Sequence, residues 1–364
     1  MKFVISGYYG FNNSGDDALL LSIINGIKEA YGDSDITVLS NSPKDTEKQY
    51  GVRAINRYNL ASMLYHMKNC DLLISGGGTL IQDATSTKSL LYYLFVIKLA
   101  KMLKKKVMLY ANGIGPLNSF QNIEKTKRVL NETDLITLRD ENSLKELEQI
   151  GVYDPVIKLT ADPAFLLEAD DKCDDILKSY GVPQDLPLMC ISVRKWKNNP
   201  ENFEEIIAQF CDDAYEKYGL FTVLMPMQQN VDFEIANNIK NKMKNRAVIL
   251  GTNYPISTLM SVMRKMTVCV GMRLHTLIYA ANSIVPTVGI VYDPKVSGFM
   301  EYMGEDRLIK VEDVSVERLT ELLDVVCTEY GSIRSHIKLN IYRLKEKAKE
   351  NNELMKKLLD GGAF

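Results

Sequence analysis

Short apolar runs alternate with stretches of helical spacing along the whole chain. The runs are KFVISGY, DITVLS, CDLLISGGG, KVMLYANGIG, LITLRD and VIKLTADPAF, then LMCISVR, FTVLMP, AVILG, VCVGM and VPTVGIVY. Between them, Asp16–Ala30, Lys88–Leu103, Asn202–Tyr218 and Val231–Lys244 repeat apolar residues every three or four positions, which predicts helices. Near-continuous apolar strands separated by helices predict parallel sheets covered on both faces. The rhythm breaks at Glu168–Pro187, where EADDKCDD and GVPQDLP interrupt it. The expected fold is therefore α/β, with two Rossmann-like parallel-sheet domains over residues 1–170 and 171–330. The tail, 331–364, reads as a long charged helix packing back across the domains. A peripheral contact of its lysines with a membrane surface is the second reading.

Length supports two domains, since 364 residues exceed one ordinary core. Charge narrows the partners: 44 basic against 46 acidic residues leave no polyanion-coating surface, so nucleic acid is not expected and any anion site must be local. The six cysteines are scattered without a CxxC and read as buried thiols of a reducing compartment. With three histidines and no acidic pair in a ligating context, no metal is expected. MKFVISGYYG has too short an apolar run for a signal peptide and reads as a first strand. The run Leu90–Ile97 stops at Lys98, well under the roughly 20 residues of a membrane span. A cytoplasmic location is expected.

Parallel sheets bind ligands at the carboxyl ends of their strands, so the loops there are where chemistry is sought. After the first strand, GYYGFNNSGDDA does not fit a dinucleotide fingerprint. Ser14, Asp16 or Asp17 would cap the next helix, while Asn12, Asn13 and Asp17 suit hydroxyl recognition on a sugar. After ISGGGTL, the residues Gln82, Asp83, Thr85, Ser86 and Lys88 exceed what a turn requires and suit a sugar acceptor. Arg139 ends LITLRD, where contact with Asp140 is the plain alternative. CISVRKW brings Arg194, Lys195 and Trp196, and PMQQNVD brings Gln228.

The stretch GMRLHTLIYAANSIVPTVGIVYDPK carries the most charge where least is expected. Arg273 and His275 fall at a predicted helix start, where free N–H groups favour an anion. Asp293 is expected to cap the next helix, with Pro294 at its first position and Lys295 in its first turn. A guanidinium, an imidazole and an ammonium at two adjacent helix starts point to a compact anionic ligand. The alternative is a core histidine with a solvent-directed lysine.

The set GMRLHTLIYA, VYDPKV, SGGGTLIQDATSTKSLLYY, ANGIGPL, TLRDENS, ADPAF and SVRKW resembles the polysaccharide pyruvyl transferases, especially the bacterial type that modifies cell-wall polysaccharide for surface-layer anchoring. Asn112 departs from a common glutamine and Lys88 from a common arginine. The resemblance implies a glycosyltransferase-B-like architecture and no cofactor. It implies transfer of the pyruvyl group of phosphoenolpyruvate to a sugar, often N-acetylmannosamine of a lipid-linked precursor, as a 4,6-ketal with release of phosphate. Donor contacts would come from Arg139, Arg194, Arg273, His275 and Lys295, and acceptor contacts from Asn12, Asn13, Asp17, Gln82, Asp83, Thr85 and Lys88. His275 and Asp17 are the catalytic candidates, with Asp83 an alternative to Asp17. Two other classes compete: a nucleotide-sugar-dependent glycosyltransferase of the same build, and a non-catalytic sugar-binding protein.

Overall fold

The computed structural model describes residues 1–251 and 254–364. They divide into two compact units: residues 1–166 with 344–364, and residues 167–343. The long helix Tyr330–Asp360 contributes its first part to the second unit and its remainder to the first.

The first unit is a seven-stranded sheet of β1 (Lys2–Ser6), β2 (Asp35–Ser40), β3 (Arg53–Asn56), β4 (Leu72–Ile81), β5 (Lys106–Ile114), β6 (Leu135–Leu138) and β7 (Val156–Leu159), in the order β3-β2-β1-β4-β5-β6-β7. The second has six strands, β8 (Leu188–Ser192), β9 (Phe221–Leu224), β10 (Ala247–Ile249), β11 (Val268–Gly271), β12 (Thr287–Val291) and β13 (Leu308–Lys310), in the order β10-β9-β8-β11-β12-β13. Every neighbouring pair is parallel. Such sheets need both faces covered, which is why β5 and β8 read as unbroken apolar runs. The order reverses between β1 and β4 and again between β8 and β11. At such a switch point the loops diverge to opposite faces and leave a crevice at the carboxyl edge.

Two apolar layers cover the first sheet. One joins Met63 and Met67 of helix Leu60–Asn69 with Leu90, Tyr93, Leu94 and Ile97 of helix Thr87–Met102. The other joins helix Ser14–Tyr31 with Leu354, Met355 and Leu358 of the last helix. Asn351 accepts from Thr160 Oγ1 at 2.9 Å and donates to Ala161 O at 3.1 Å, so the buried polar side of the last helix is matched as well. Gly26 has a packing reason here, because a Cβ on it would lie 2.2 Å from Asn352 Oδ1.

The last helix is therefore core for the first unit. Met355 is fully buried, and Met355→Ala should lower stability by roughly 2–5 kcal/mol in urea unfolding. The exposed neighbour change Lys356→Ala should stay within about 0.5 kcal/mol.

Candidate functional site

In the second unit the charged residues gather at the switch between β8 and β11. Arg194 follows β8, and Arg273 is the N-cap of helix Leu274–Asn282 after β11. The two strand ends are joined by Met272 N donating to Ser192 O at 2.8 Å and by the Ser192 and Thr276 hydroxyls at 2.9 Å. His275 is the second residue of that helix, half-buried, with its ring 6.4 Å from Tyr279. After β12, Asp293 caps helix Pro294–Tyr302 by accepting from Lys295 N at 3.0 Å, and Lys295 Nζ lies 3.3 Å from the same carboxylate.

Tyr292 stands at the centre. Arg194 Nη1 donates to its hydroxyl at 3.4 Å, the Arg194 guanidinium lies 5.3 Å from its ring, and Lys295 Nζ lies 5.4 Å from it. Trp196 adds an edge contact to Tyr292 at 5.0 Å and a face for Arg194 at 5.2 Å. Burial pushes the Tyr292 phenol up, but Lys295, Arg194 and Arg273 together outweigh it and hold the phenol below its ordinary value. The site thus has a positive field strong enough to favour an anion.

Arg273, expected to contact the donor, has one edge of its guanidinium held by protein. Its Nε donates to Asp232 Oδ2 at 3.0 Å, and its Nη2 bonds Asp232 Oδ1 and, at 3.3 Å, Gln228 Oε1. Asp232 is fully buried and also accepts from Met227 N and Gln228 N, at 3.1 and 2.9 Å. One edge of the guanidinium is therefore spent on orienting it, and Nη1 is what remains. Asp232 was visible only as the last residue of PMQQNVD, one turn after Gln228, a spacing that places both at one helix start.

Arg194 differs from the other two cations. Lys295 has Asp293 and Arg273 has Asp232, whereas among the described residues the polar contacts of Arg194 Nη1 and of the flanking rings involve no carboxylate. Its Nε is buried and meets no acceptor among the described residues.

Arg139 belongs to the first unit. Its Nη1 donates to Asp162 at 2.9 Å and its Nη2 to Thr79 Oγ1 at 3.1 Å, and Asp140 is farther, at 3.8 Å. It ties the ends of β4, β6 and β7, and the sequence showed Asp162 only as part of ADPAF.

The first unit repeats the switch-point arrangement between β1 and β4. Gly77 and Gly78 have positive φ, 52° and 72°, and a Cβ on Gly78 would come 3.2 Å from Asp16 Oδ1, so the two loops meet where glycine allows it. The helix cap is Asn13, not Ser14, Asp16 or Asp17: its backbone is extended and its Oδ1 accepts from Gly15 N at 3.1 Å. Asn12 is exposed with φ 56°. Asp17, freed from capping, is pushed by burial up to about 6, an effect that a hydrogen bond from Tyr50 only reduces.

Asp83 has the opposite setting. Burial raises its carboxyl, but donors from Asn122, Asn118 and Ser119 at 2.8–3.0 Å outweigh this and hold it below the usual range. Gln82 Oε1 accepts from Thr85 N at 2.9 Å, Ser86 caps helix Thr87–Met102, and Thr85 and Lys88 are exposed. A residue that sequence reasoning missed lies at the same edge: Arg57, buried, with its guanidinium 4.1 Å from the Tyr92 ring and Nη1 3.4 Å from Gly7 O. It ends a strand too short and too exposed to carry a periodic signal.

A family model of polysaccharide pyruvyl transferases matches residues 13–294. The chain belongs to the polysaccharide pyruvyl transferase family. The match runs from the first helix to the start of the helix after β12, so a pyruvyl transferase active on polysaccharide is the enzyme class of this chain. Solved structures share its fold at low identity. A Listeria monocytogenes protein assigned as a UDP-N-acetylglucosamine 2-epimerase aligns with TM-score 0.73 and 10% identity over 100% of this chain and 97% of its own. Anabaena HepE, in complex with UDP and glucose, aligns at 0.69 with 14% identity over 99% and 100%. MnaA of S. aureus, in complex with UDP, aligns at 0.70 with 11% identity over 99% and 97%. The pyruvyl transferase thus has a glycosyltransferase-B-like fold.

The raised Asp17 carboxyl makes a pH prediction. A folded-state value near 6, above the unfolded 3.8, means that the folded chain carries the cost of a buried carboxylate above about pH 6. That cost is relieved as pH falls toward 4. The stability difference between Asp17→Asn and the parent should be largest at pH 7 and shrink by pH 4.5 in paired urea titrations. A pH-independent difference would place the carboxyl in an ordinary environment.

Proposed function

We propose that this pyruvyl transferase takes the pyruvyl group from phosphoenolpyruvate, bound by the second unit, and builds a cyclic ketal on a sugar bound by the first. The observation that carries the reading is Arg194, a cation without a carboxylate partner among the described residues, in a positive cluster that lies within the family match apart from Lys295, one residue beyond it. Phosphoenolpyruvate offers a phosphate and a carboxylate, matching Arg194, Lys295 and Nη1 of Arg273. Charge-assisted hydrogen bonds of this kind contribute ~1.5–3 kcal/mol each. The N-terminus of helix Leu274–Asn282 adds N–H donors and a favourable dipole end. Arg139 is read as a further donor contact, its guanidinium oriented within the first unit by Asp162 and Thr79.

The chemistry balances without a cofactor. One proton is added to the methylene carbon, C2 takes on cationic character, a sugar hydroxyl forms the first C–O bond, phosphate departs, and a second hydroxyl closes the ring. Two hydroxyl protons are released overall, one ending on the new methyl group and one on phosphate. His275 is assigned the proton to carbon, being the titratable group in the first turn beside Arg273. Asp17 is assigned the acceptor hydroxyl, because a carboxyl near 6 is a better base near neutrality than Asp83, which is held low by its donors. Asn12, Asn13, Gln82, Thr85 and Lys88 supply the remaining acceptor contacts in this reading. The acceptor is read as N-acetylmannosamine of a lipid-linked cell-wall precursor, carrying a 4,6-ketal that serves surface-layer anchoring, and the reaction as cytoplasmic, where the donor is made.

Calorimetry with phosphoenolpyruvate tests the donor site. Arg194→Ala should weaken binding by about ten-fold or more, the loss of one charge-assisted contact. His275→Ala should bind within a few-fold of the parent yet release no phosphate. No response to phosphoenolpyruvate, with UDP-glucose binding instead, would return the chain to nucleotide-sugar chemistry.

A further inference from the structure

Helix Thr87–Met102 is apolar on two faces. One face carries Leu90, Tyr93, Leu94 and Ile97 into the core. The other runs Lys88, Leu91, Phe95, Lys98 at spacings of three, four and three, one continuous stripe, and all four are exposed. Leu91 and Phe95 leave 37% and 46% of their surface to solvent there. Helix Leu60–Asn69 lies in the same layer and repeats the pattern with Leu60, Leu64 and Lys68. Tyr58, just before it, meets Tyr92 at 5.8 Å, and the Tyr92 hydroxyl donates to Arg57 O at 3.1 Å, so the two helix starts adjoin. The exposures of Tyr58, Leu60, Leu64, Leu91 and Phe95 run from 37% to 69%, too large for side chains that merely graze the surface.

Charge decides what fits there. The chain has 46 acidic residues, yet residues 57–70 and 84–107 contain none. An apolar stripe flanked by cations and free of acids matches an anionic bilayer surface: the rings and leucines enter the headgroup boundary while the lysines reach phosphates. Among the described residues no helix is long and apolar enough to cross a membrane, so the contact would be peripheral. The lysine-rich last helix competes poorly. Its C-terminal apolar face is committed to the core through Leu354, Met355 and Leu358, and its outer face, though it exposes Leu339 and Tyr342, mixes Glu346, Lys349 and Glu350.

We propose that the outer stripe of helices Leu60–Asn69 and Thr87–Met102 seats the first unit on an anionic membrane surface. Both helices begin at the carboxyl edge of the sheet, directly after β3 and β4, so the seat adjoins the loops assigned to the acceptor. A sugar carried on a lipid is then met at the plane in which it diffuses. For its purpose the inference rests on the proposed membrane-held acceptor.

Flotation with vesicles tests it, using phosphatidylcholine alone and phosphatidylcholine with 30% phosphatidylglycerol. The parent should float with the anionic vesicles only. Leu91→Gln/Phe95→Gln should cut the bound fraction by about ten-fold or more, and Lys68→Gln/Lys98→Gln several-fold, with a matching loss for the parent at high salt. Lys356→Gln/Lys357→Gln should float as the parent does. Failure of the parent to float, or equal flotation of the stripe variants, would overturn the proposal. So would a parent dimer in sedimentation velocity that Leu91→Gln/Phe95→Gln dissolves, since the stripe would then cover a second copy. Phosphoenolpyruvate binding measured on the same variants keeps the two readings apart: it should be unchanged if only the membrane seat is lost.

Discussion

The second unit's site depends on one buried carboxylate. Asp232 accepts from two backbone N–H groups after β9 and from two nitrogens of Arg273 after β11, four donors on two oxygens. Removing one partner of such a pair would strand the other charge in the interior, at a cost of about 3–5 kcal/mol. The pair also fixes geometry, because it joins loops from strands on either side of β8 and so frames the place where the sheet order reverses. Arg273 consequently works with a defined direction, one edge held by protein and Nη1 left over. A ligand meeting it does not have to order a flexible side chain first.

That frame explains why the three cations are not equivalent. Asp232 and Asp293 each pair with one of them. Arg194 keeps its charge, flanked by Trp196 and Tyr292 in place of an acid, and aromatic faces tolerate a cation without competing for an incoming phosphate. The depression of the Tyr292 phenol records the sum of all three in one place. A cluster with two internally balanced cations and one open one costs less to hold together than three bare charges. It still offers an anion a net attraction.

Much of the fold was legible because parallel strands must be apolar on both sides. The runs at β1, β5, β8 and β12 declare themselves as continuous hydrophobic segments. The two strands that escaped notice, β3 and β13, lie at sheet edges, with four and three residues and mixed burial. Helix starts after strands were also legible, as Arg273 at an N-cap and Asp293 before Pro294 illustrate. What the chain order hides is which donor meets which acceptor. Asn13 rather than an aspartate caps the first helix, and the Arg273 fork closes on a residue 41 positions earlier. Asp17 and Asp83 looked interchangeable in sequence. They differ because one is buried beside a single hydroxyl and the other sits among four N–H donors.

The helix Thr87–Met102 shows how a sequence pattern can be correct locally and incomplete globally. Its apolar residues outnumber what one buried face can use, and taken alone they would predict a helix enclosed on all sides. The unit encloses only one side. The surplus is not scattered, as incidental surface leucines would be, but falls on one stripe with lysines at both ends and no acid on either of the two helices. Incidental exposure predicts neither the alignment nor the missing acids, whereas a bilayer surface accounts for both. The same helix carries Lys88 and follows the loop of Gln82 and Thr85, so one residue that would recognise the sugar shares a rigid element with those that would meet the lipid. The distance between them is then set by helix geometry rather than by a hinge.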